Sequence, residues 1–267
     1  MLTSLACVAR RGAADPQTAF QEIYLAPDHR ALPDGVRLGP LAVAPALSGS
    51  HAATGETVPG GGEAQIEAAC ANMEAFLGSA GGSKADLARA TFYLPDVDDR
   101  SILNKVWSAH YPDAATRPPH KYAPARLAEG QEVRLQVLAL PGAERRTLEI
   151  PGLEHMDPMA MGALTGNLVT SSRIFGSHAF TGERAKDAAE GTALAFAHAT
   201  TLLGQAGVDW SRLVQLTAFI GDADHRALVE REWRAHTAGL PGAPRLNLVE
   251  VRWAGVGAPR IEIVALT

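Results

Sequence analysis

The chain has 267 residues, 46% hydrophobic and 20% charged, with a formal net charge of −5 at pH 7. This is globular composition, and with no basic tract it argues against nucleic acid as the main partner, because phosphate binding rests on clustered Lys and Arg. No apolar run approaches the length of a membrane span, and Cys7 and Cys70 alone make no disulfide framework, so the expectation is a soluble cytoplasmic protein without a membrane partner.

Residues 1–16 read as a flexible leader; their apolar stretch precedes Arg10-Arg11, the reverse of a signal peptide's charge order. The alternation of Phe20 to Tyr24 predicts a strand, and the apolar run 38–47 a second, buried one. Residues 50–62 form a Gly- and Thr-rich loop. A helix is predicted over 63–79, where Ile66, Ala69, Cys70, Met73, Phe76 and Leu77 fall on one face at helical spacing. A strand follows at 87–94, then a helix at 100–110 with Asp98 or Asp99 placed to cap it. The proline-rich passage 112–124 leads to a strand at 133–140, where Val133, Leu135 and Val137 alternate with Arg134 and Gln136.

After a short linker, 141–146, the same plan returns. Strands are expected at 147–150, 167–172, 213–220, 246–251 and 260–266, with helices at 186–205 and 223–238. The return is literal in places. Ser50-His-Ala-Ala-Thr-Gly-Glu56 recurs as Ser177-His-Ala-Phe-Thr-Gly-Glu183, and Thr91 through Arg100 as Thr217 through Arg226. A period of 126 or 127 residues is a duplicated domain, not a solenoid repeat. The expected domains are 17–141 and 147–267, each α+β with helices on one sheet face.

Several sequence pieces, in order, carry a family resemblance: Thr170-Ser171-Ser172, Thr181-Gly182-Glu183, Leu203-Gly204-Gln205-Ala206-Gly207, Pro244-Arg245, Val249-Glu250-Val251 and Arg260-Ile261-Glu262-Ile263. The series resembles the RidA/YjgF family of small α+β domains. That resemblance implies a chorismate mutase-like fold, a homotrimer with sites in clefts between neighbouring subunits, and hydrolysis of imines or enamines without metal or cofactor. It also implies an arginine that clamps the substrate carboxylate, a bidentate pairing that would orient the imine carbon for attack by water.

Aligning the copies separates them. The clamp maps to Arg245 in the second copy and to Pro119 in the first, where only His120 or Lys121 could offer a cation. The family's Ser-Gly pair maps to Ser172-Arg173 in the second copy and to Pro45-Ala46 in the first. The second copy is the expected working half, with Arg245 and Ser172 as candidate catalytic residues. Arg173, Phe175 and Glu262 are candidate substrate-binding residues.

It also departs from the family pattern. Arg245 stands one residue further from Val249-Glu250-Val251 than usual, so a shifted or bulged strand is expected. Val264 replaces the second glutamate of the final strand. A second arginine, Arg173, suggests either a dicarboxylate or other strongly anionic substrate, or a structural salt bridge. His51 and His178 recur in both copies, which favours a structural role, and His155 and Met156 precede a loop that could border the cleft.

The nine histidines show no His-x-x-x-His and no pairing with the cysteines, so no metal site is expected; nor is a nucleophile elbow or a phosphate loop present. The leading expectation is a hydrolytic deaminase of a reactive imine or enamine, or of a related C–N bond, in a small anionic metabolite. The alternative is a non-catalytic small-molecule-binding or scaffold protein on the same fold. Three chains giving six domains is the simplest closed assembly.

Overall fold

The computed structural model describes residues 19–25, 31–96, 100–153, 155–242, 244–251 and 257–267. The expected leader and the caps Asp98 and Asp99 lie outside them. The chain divides into two compact units, one of residues up to Asp113 with His120–Arg145, the other of Ala114–Pro119 with Arg146–Thr267.

The first unit runs β1 (Phe20–Ile23), β2 (Gly35–Leu38), β3 (Leu41–Ser48), α1 (Gly61–Ser79), β4 (Leu87–Leu94), α2 (Arg100–His110), β5 (His120–Pro124) and β6 (Arg134–Ala139). Its sheet has six strands in the order β1-β2-β3-β6-β4-β5. Neighbours are antiparallel except β4 and β5, which are parallel and joined through α2. Alternation decides what faces the helices: Leu135, Val137 and Ala139 of β6 are buried against Ile66, Met73, Phe76 and Leu77 of α1, while Arg134, Gln136 and Leu138 point to the helix-free face.

The second unit repeats this topology with β7 (Arg145–Leu148), β8 (Gly162–Thr165), β9 (Leu168–Ser171), α3 (Ala188–Gln205), β10 (Leu213–Ile220), α4 (His225–Thr237), β11 (Arg245–Glu250) and β12 (Arg260–Leu266). Its order is β11-β10-β12-β9-β8-β7, with β10 and β11 parallel. Phe196, Leu202 and Leu203 of α3 pack on Ile261, Ile263 and Ala265 of β12 to make its core. Asp187 caps α3 by accepting from the Glu190 amide.

Two strands differ from the sequence reading. The expected strand 38–47 is the hairpin β2–β3, turned at Gly39 with φ 56°. Its counterpart β8–β9 turns at Gly166 with φ 57°, a backbone that glycine adopts without strain. The proline-rich passage contains β5, tolerated because it is an edge strand whose unpaired side needs no amide donor.

The loop leaving β9 crosses the first turn of α3. A Cβ on Gly176 would stand 1.8 Å from the Gly191 carbonyl oxygen, so only glycine fits the crossing. Gly49 crosses α1 over Gln65 in the same way. Beyond each crossing the histidine motif closes a turn through its backbone: the His51 amide donates to the Glu56 carbonyl, the His178 amide to the Glu183 carbonyl. Asn72 holds the first loop by donating to the Ser48 and Ser50 carbonyls; in the second unit the His198 ring donates to the Ser177 carbonyl.

Candidate functional site

Arg245 opens β11, the edge strand of the second sheet. The register pairs Arg245 with Gln215 of β10, and Gln215 with Val264 of β12, which in turn pairs with Thr170 of β9. Paired residues project to the same face, so these four form one row across the sheet on the side away from the helices. The next row carries Asn247, Thr217 and Glu262. β10 and β11 pair without interruption from Gln215–Arg245 to Ile220–Glu250, so β11 itself carries no bulge; the irregularity near the arginine lies in β10, between Leu213 and Gln215 where it pairs with β12. Arg245 is exposed, and its guanidinium makes no hydrogen bond or ion pair with another described residue. Gln215 donates to the Thr217 hydroxyl at 2.8 Å.

Arg173 and Glu262 are brought together. Past β9 the chain bends, and an isolated bridge joins Ile174 to Ile261, which swings Arg173 over β12. Its Nε lies 3.4 Å from Glu262 Oε1, with side-chain exposures of 10% and 3%. The Arg173 guanidinium also stands 4.6 Å from the centre of the Phe219 ring, within cation–π range. Two charges withdrawn from water need each other, and Glu262 already gives Arg173 a counter-charge. As it stands, the arrangement is the internal salt bridge the sequence left open beside anion binding.

Ser172 is fully buried. Its hydroxyl donates to the Met161 carbonyl at 3.1 Å and lies 2.6 Å from His155 Nε2. The His155 ring meets Phe175 with centroids 5.5 Å apart and planes tilted by 57°. Burial pushes the His155 imidazole down to about 4, against the pull of Asp157 and with the added push of Arg260. The five candidates thus fall into three places: Ser172 with Phe175 around His155, Arg173 with Glu262 over Phe219, and Arg245 alone on the edge. Strand spacing and rise set Arg245 and Glu262 roughly 12 Å apart along the sheet.

Phe219 is the neighbour of the candidates that sequence reasoning passed over, and His155 was read only as bordering the cleft. His155 carried only its place in a loop before the second hairpin, and Phe219 looked like an ordinary strand residue. In the first unit His120 is fully buried, its ring 4.9 Å from Trp107 and 6.0 Å from Phe92, so it faces the helices and cannot replace the clamp. Pro119 is buried as well, and Pro45-Ala46 sits exposed at an irregularity in the β3–β6 register. A concavity of about 610 Å³ in that unit lies between Pro95, Pro124, Arg126, Gln131 and Glu132 and contains none of the candidate residues.

The sequence matches the family model described as Endoribonuclease L-PSP twice, over residues 34–140 and 157–267. A 2-iminobutanoate/2-iminopropanoate deaminase of Bos taurus is 29% identical over 94 residues, 35% of this chain and 68% of that protein. A RutC family protein of Pyrococcus abyssi is 33% identical over 75 residues, 28% of this chain and 53% of that one. Among solved structures, E. coli TdcF with bound serine is 20% identical and covers 46% of this chain and 98% of its own, with a TM-score of 0.41. A Rid family protein of unknown function from Yersinia pestis is 20% identical over 46% of this chain and 99% of its own, with a TM-score of 0.42. Matched over both halves, the chain belongs to the Endoribonuclease L-PSP family, the RidA/YjgF family, and carries its domain twice.

Proposed function

We propose that the second domain is a hydrolytic deaminase of a small imine or enamine bearing a carboxylate, with Arg245 as the clamp. The observation that carries this reading is the state of Arg245: exposed on an edge strand, with no ion pair to a carboxylate among the described residues. An arginine serving the fold would be paired, as Arg173 is with Glu262. A guanidinium held open offers two parallel N–H donors to a planar carboxylate, a contact worth about 1.5–3 kcal/mol.

The reaction adds water to C=N and releases ammonia, leaving a ketone. The clamp fixes the carbon whose nitrogen is lost, and water approaches over the polar face of Gln215, Thr217 and Asn247. Arg173 and Glu262 line the floor as a neutral pair, which favours one carboxylate over two. Because Arg245 sits on an edge, a second domain is needed to roof the cleft, and three chains supply it in a closed ring. The names of the bovine relative and its counterpart of Capra hircus, both 2-iminobutanoate/2-iminopropanoate deaminases, support the chemistry.

Val264 favours a second reading. It lies in the same row as Arg245, at the position where the family resemblance expects a carboxylate to handle water. A binding protein that keeps the clamp and lacks the chemistry fits that exchange. Ammonia release from freshly generated 2-imino acids, measured over the spontaneous rate, separates the two. We expect acceleration with monocarboxylate imines, and weaker acceleration with dicarboxylates. Tight binding of the corresponding keto acid without acceleration supports the binding protein.

A further inference from the structure

Gln215 is the cross-strand neighbour of Arg245: the two are paired in register on β10 and β11 and share the helix-free face. It is half-buried, so a ligand can reach it. Its amide carries two functions, and one is taken. Nε2 donates at 2.8 Å to the hydroxyl of Thr217, two residues along the same face. Thr217 is itself 8% exposed and set between Asn247 and Glu262 by register, so the donor end of the amide is tied down on the sheet. The other end, Oε1, is left as an acceptor with two lone pairs. Among the described residues the amide makes no second hydrogen bond.

The spacing suits a 2-imino acid. Its imine nitrogen lies about 3 Å from the nearer carboxylate oxygen. With a hydrogen bond of about 2.9 Å at each end, the molecule bridges groups up to roughly 8 Å apart. Side chains rooted about 4.8 Å apart on adjacent strands of one face fall inside that reach. Charge fits as well. A carboxylate at position 215 would pair with Arg245 and close the clamp, and an ammonium would repel a protonated imine; the amide does neither.

We propose that Gln215 is the residue that recognises nitrogen in the deaminase site. Its Oε1 accepts the N–H of the imine whose carboxylate Arg245 holds, and Thr217 is its positioning residue, fixing which end of the amide faces the substrate. This rests on the imine-deaminase reading above and adds the second feature of the substrate that the site reads. Protonated to the iminium, the same nitrogen makes a charge-assisted hydrogen bond, and its carbon is the more electrophilic towards water. Hydrolysis then puts a ketone oxygen, an acceptor only, where the N–H donor stood. Acceptor faces acceptor, the contact is lost, and the keto acid is released.

The test compares two ligands on the full chain by isothermal titration. L-Alanine brings a carboxylate and an N–H donor; pyruvate brings a carboxylate and an acceptor. Gln215→Met should weaken alanine roughly tenfold, the worth of one hydrogen bond to a charged group, and leave pyruvate unchanged or tighter. Thr217→Val should shift the preference in the same direction and Thr217→Ser should restore it, at melting temperatures matched to the wild type. In ammonia release from 2-imino acids, Gln215→Met should lower kcat/KM by a similar roughly tenfold factor, and adding Thr217→Val should lower it no further.

A wild type that binds no alanine, alanine and pyruvate weakened alike, or losses that multiply in the double variant would each overturn the proposal. So would a Thr217→Ser no better than Thr217→Val. Ammonia release that is undisturbed by Gln215→Met overturns it while the deaminase reading stands. If the wild type releases no ammonia but alanine alone is weakened by Gln215→Met, Gln215 keeps its role and the deaminase reading falls.

Discussion

Arg173 and Glu262 show how much two neighbouring side chains can mean to a sheet that tolerates neither alone. With exposures of 10% and 3%, removing the carboxylate takes the counter-charge, 3.4 Å away, from a largely buried guanidinium. Glu262→Gln should cost about 3–5 kcal/mol in urea unfolding, while Arg173→Met with Glu262→Leu should recover most of it. A single variant as stable as the wild type would mean the pair is open to water. Both residues were legible as site candidates from the resemblance, but their pairing was not. It depends on the bend after β9 and the bridge between Ile174 and Ile261, which no local pattern encodes.

His155 makes a prediction of its own. Its folded value, about 4, lies below the ordinary 6.5, so between those values the unfolded chain binds the proton more readily. The stability it contributes is whole above pH 6.5 and is lost as pH falls toward 4. The loss should reach about 3 kcal/mol, at 1.36 kcal/mol per pH unit. Urea midpoints at pH 7, 5.5 and 4 should therefore fall more steeply for the wild type than for His155→Gln. Parallel curves would place the imidazole in water. A single histidine in a loop carries no such information in sequence, because burial is decided by the strands that close over it.

Among the elements, the crossing of Gly176 over α3 is the tightest constraint near the site. Gly176→Ala drives a Cβ to within 1.8 Å of the Gly191 carbonyl, which is backbone and cannot swing aside. A loss of about 3 kcal/mol is expected by thermal unfolding, together with disturbance of the loop that carries Arg173. Gly204, inside α3 with nothing within 4 Å of an added Cβ, is the contrast: Gly204→Ala should be neutral or stabilising. Equal losses at both would mean the helix and not the crossing is responsible.

Amphipathic spacing and β-branched runs made most of the elements readable. The strands 87–94, 213–220 and 260–266 and the helix 100–110 were delimited from sequence to the residue. The two hairpins were not resolved, although Gly166-Asn167 between apolar runs is a turn signal, because apolar residues continue on both sides of each turn. Strand β5 was hidden by its prolines. Its counterpart β11, with fewer, was expected only one residue from where it lies.

At the scale of the whole molecule, duplication explains why two domains of one topology carry unequal sites. One copy keeps an open arginine on its edge strand. The other has a buried proline at the aligned position and turns the following histidine into its core. The duplication and the fold were legible because echoes such as Thr91–Arg100 and Thr217–Arg226 outlast drift at the surface. What completes the cleft was not, since the partner of an edge strand lies outside the strand's own sequence. Three chains per assembly is the expectation, measured by sedimentation equilibrium as about three times the chain mass; a monomer at working concentration would leave the cleft unroofed.

The most direct test is the rate of ammonia release from 2-imino acids by Arg245→Ala beside the wild type, at matched melting temperature and assembly mass. We expect kcat/KM to fall by roughly 10- to 150-fold, the worth of a charged hydrogen-bonded contact, with Arg245→Lys in between because a lone ammonium lacks the fork. Undiminished release by Arg245→Ala would contradict the clamp and, with it, the assignment of activity to the second domain.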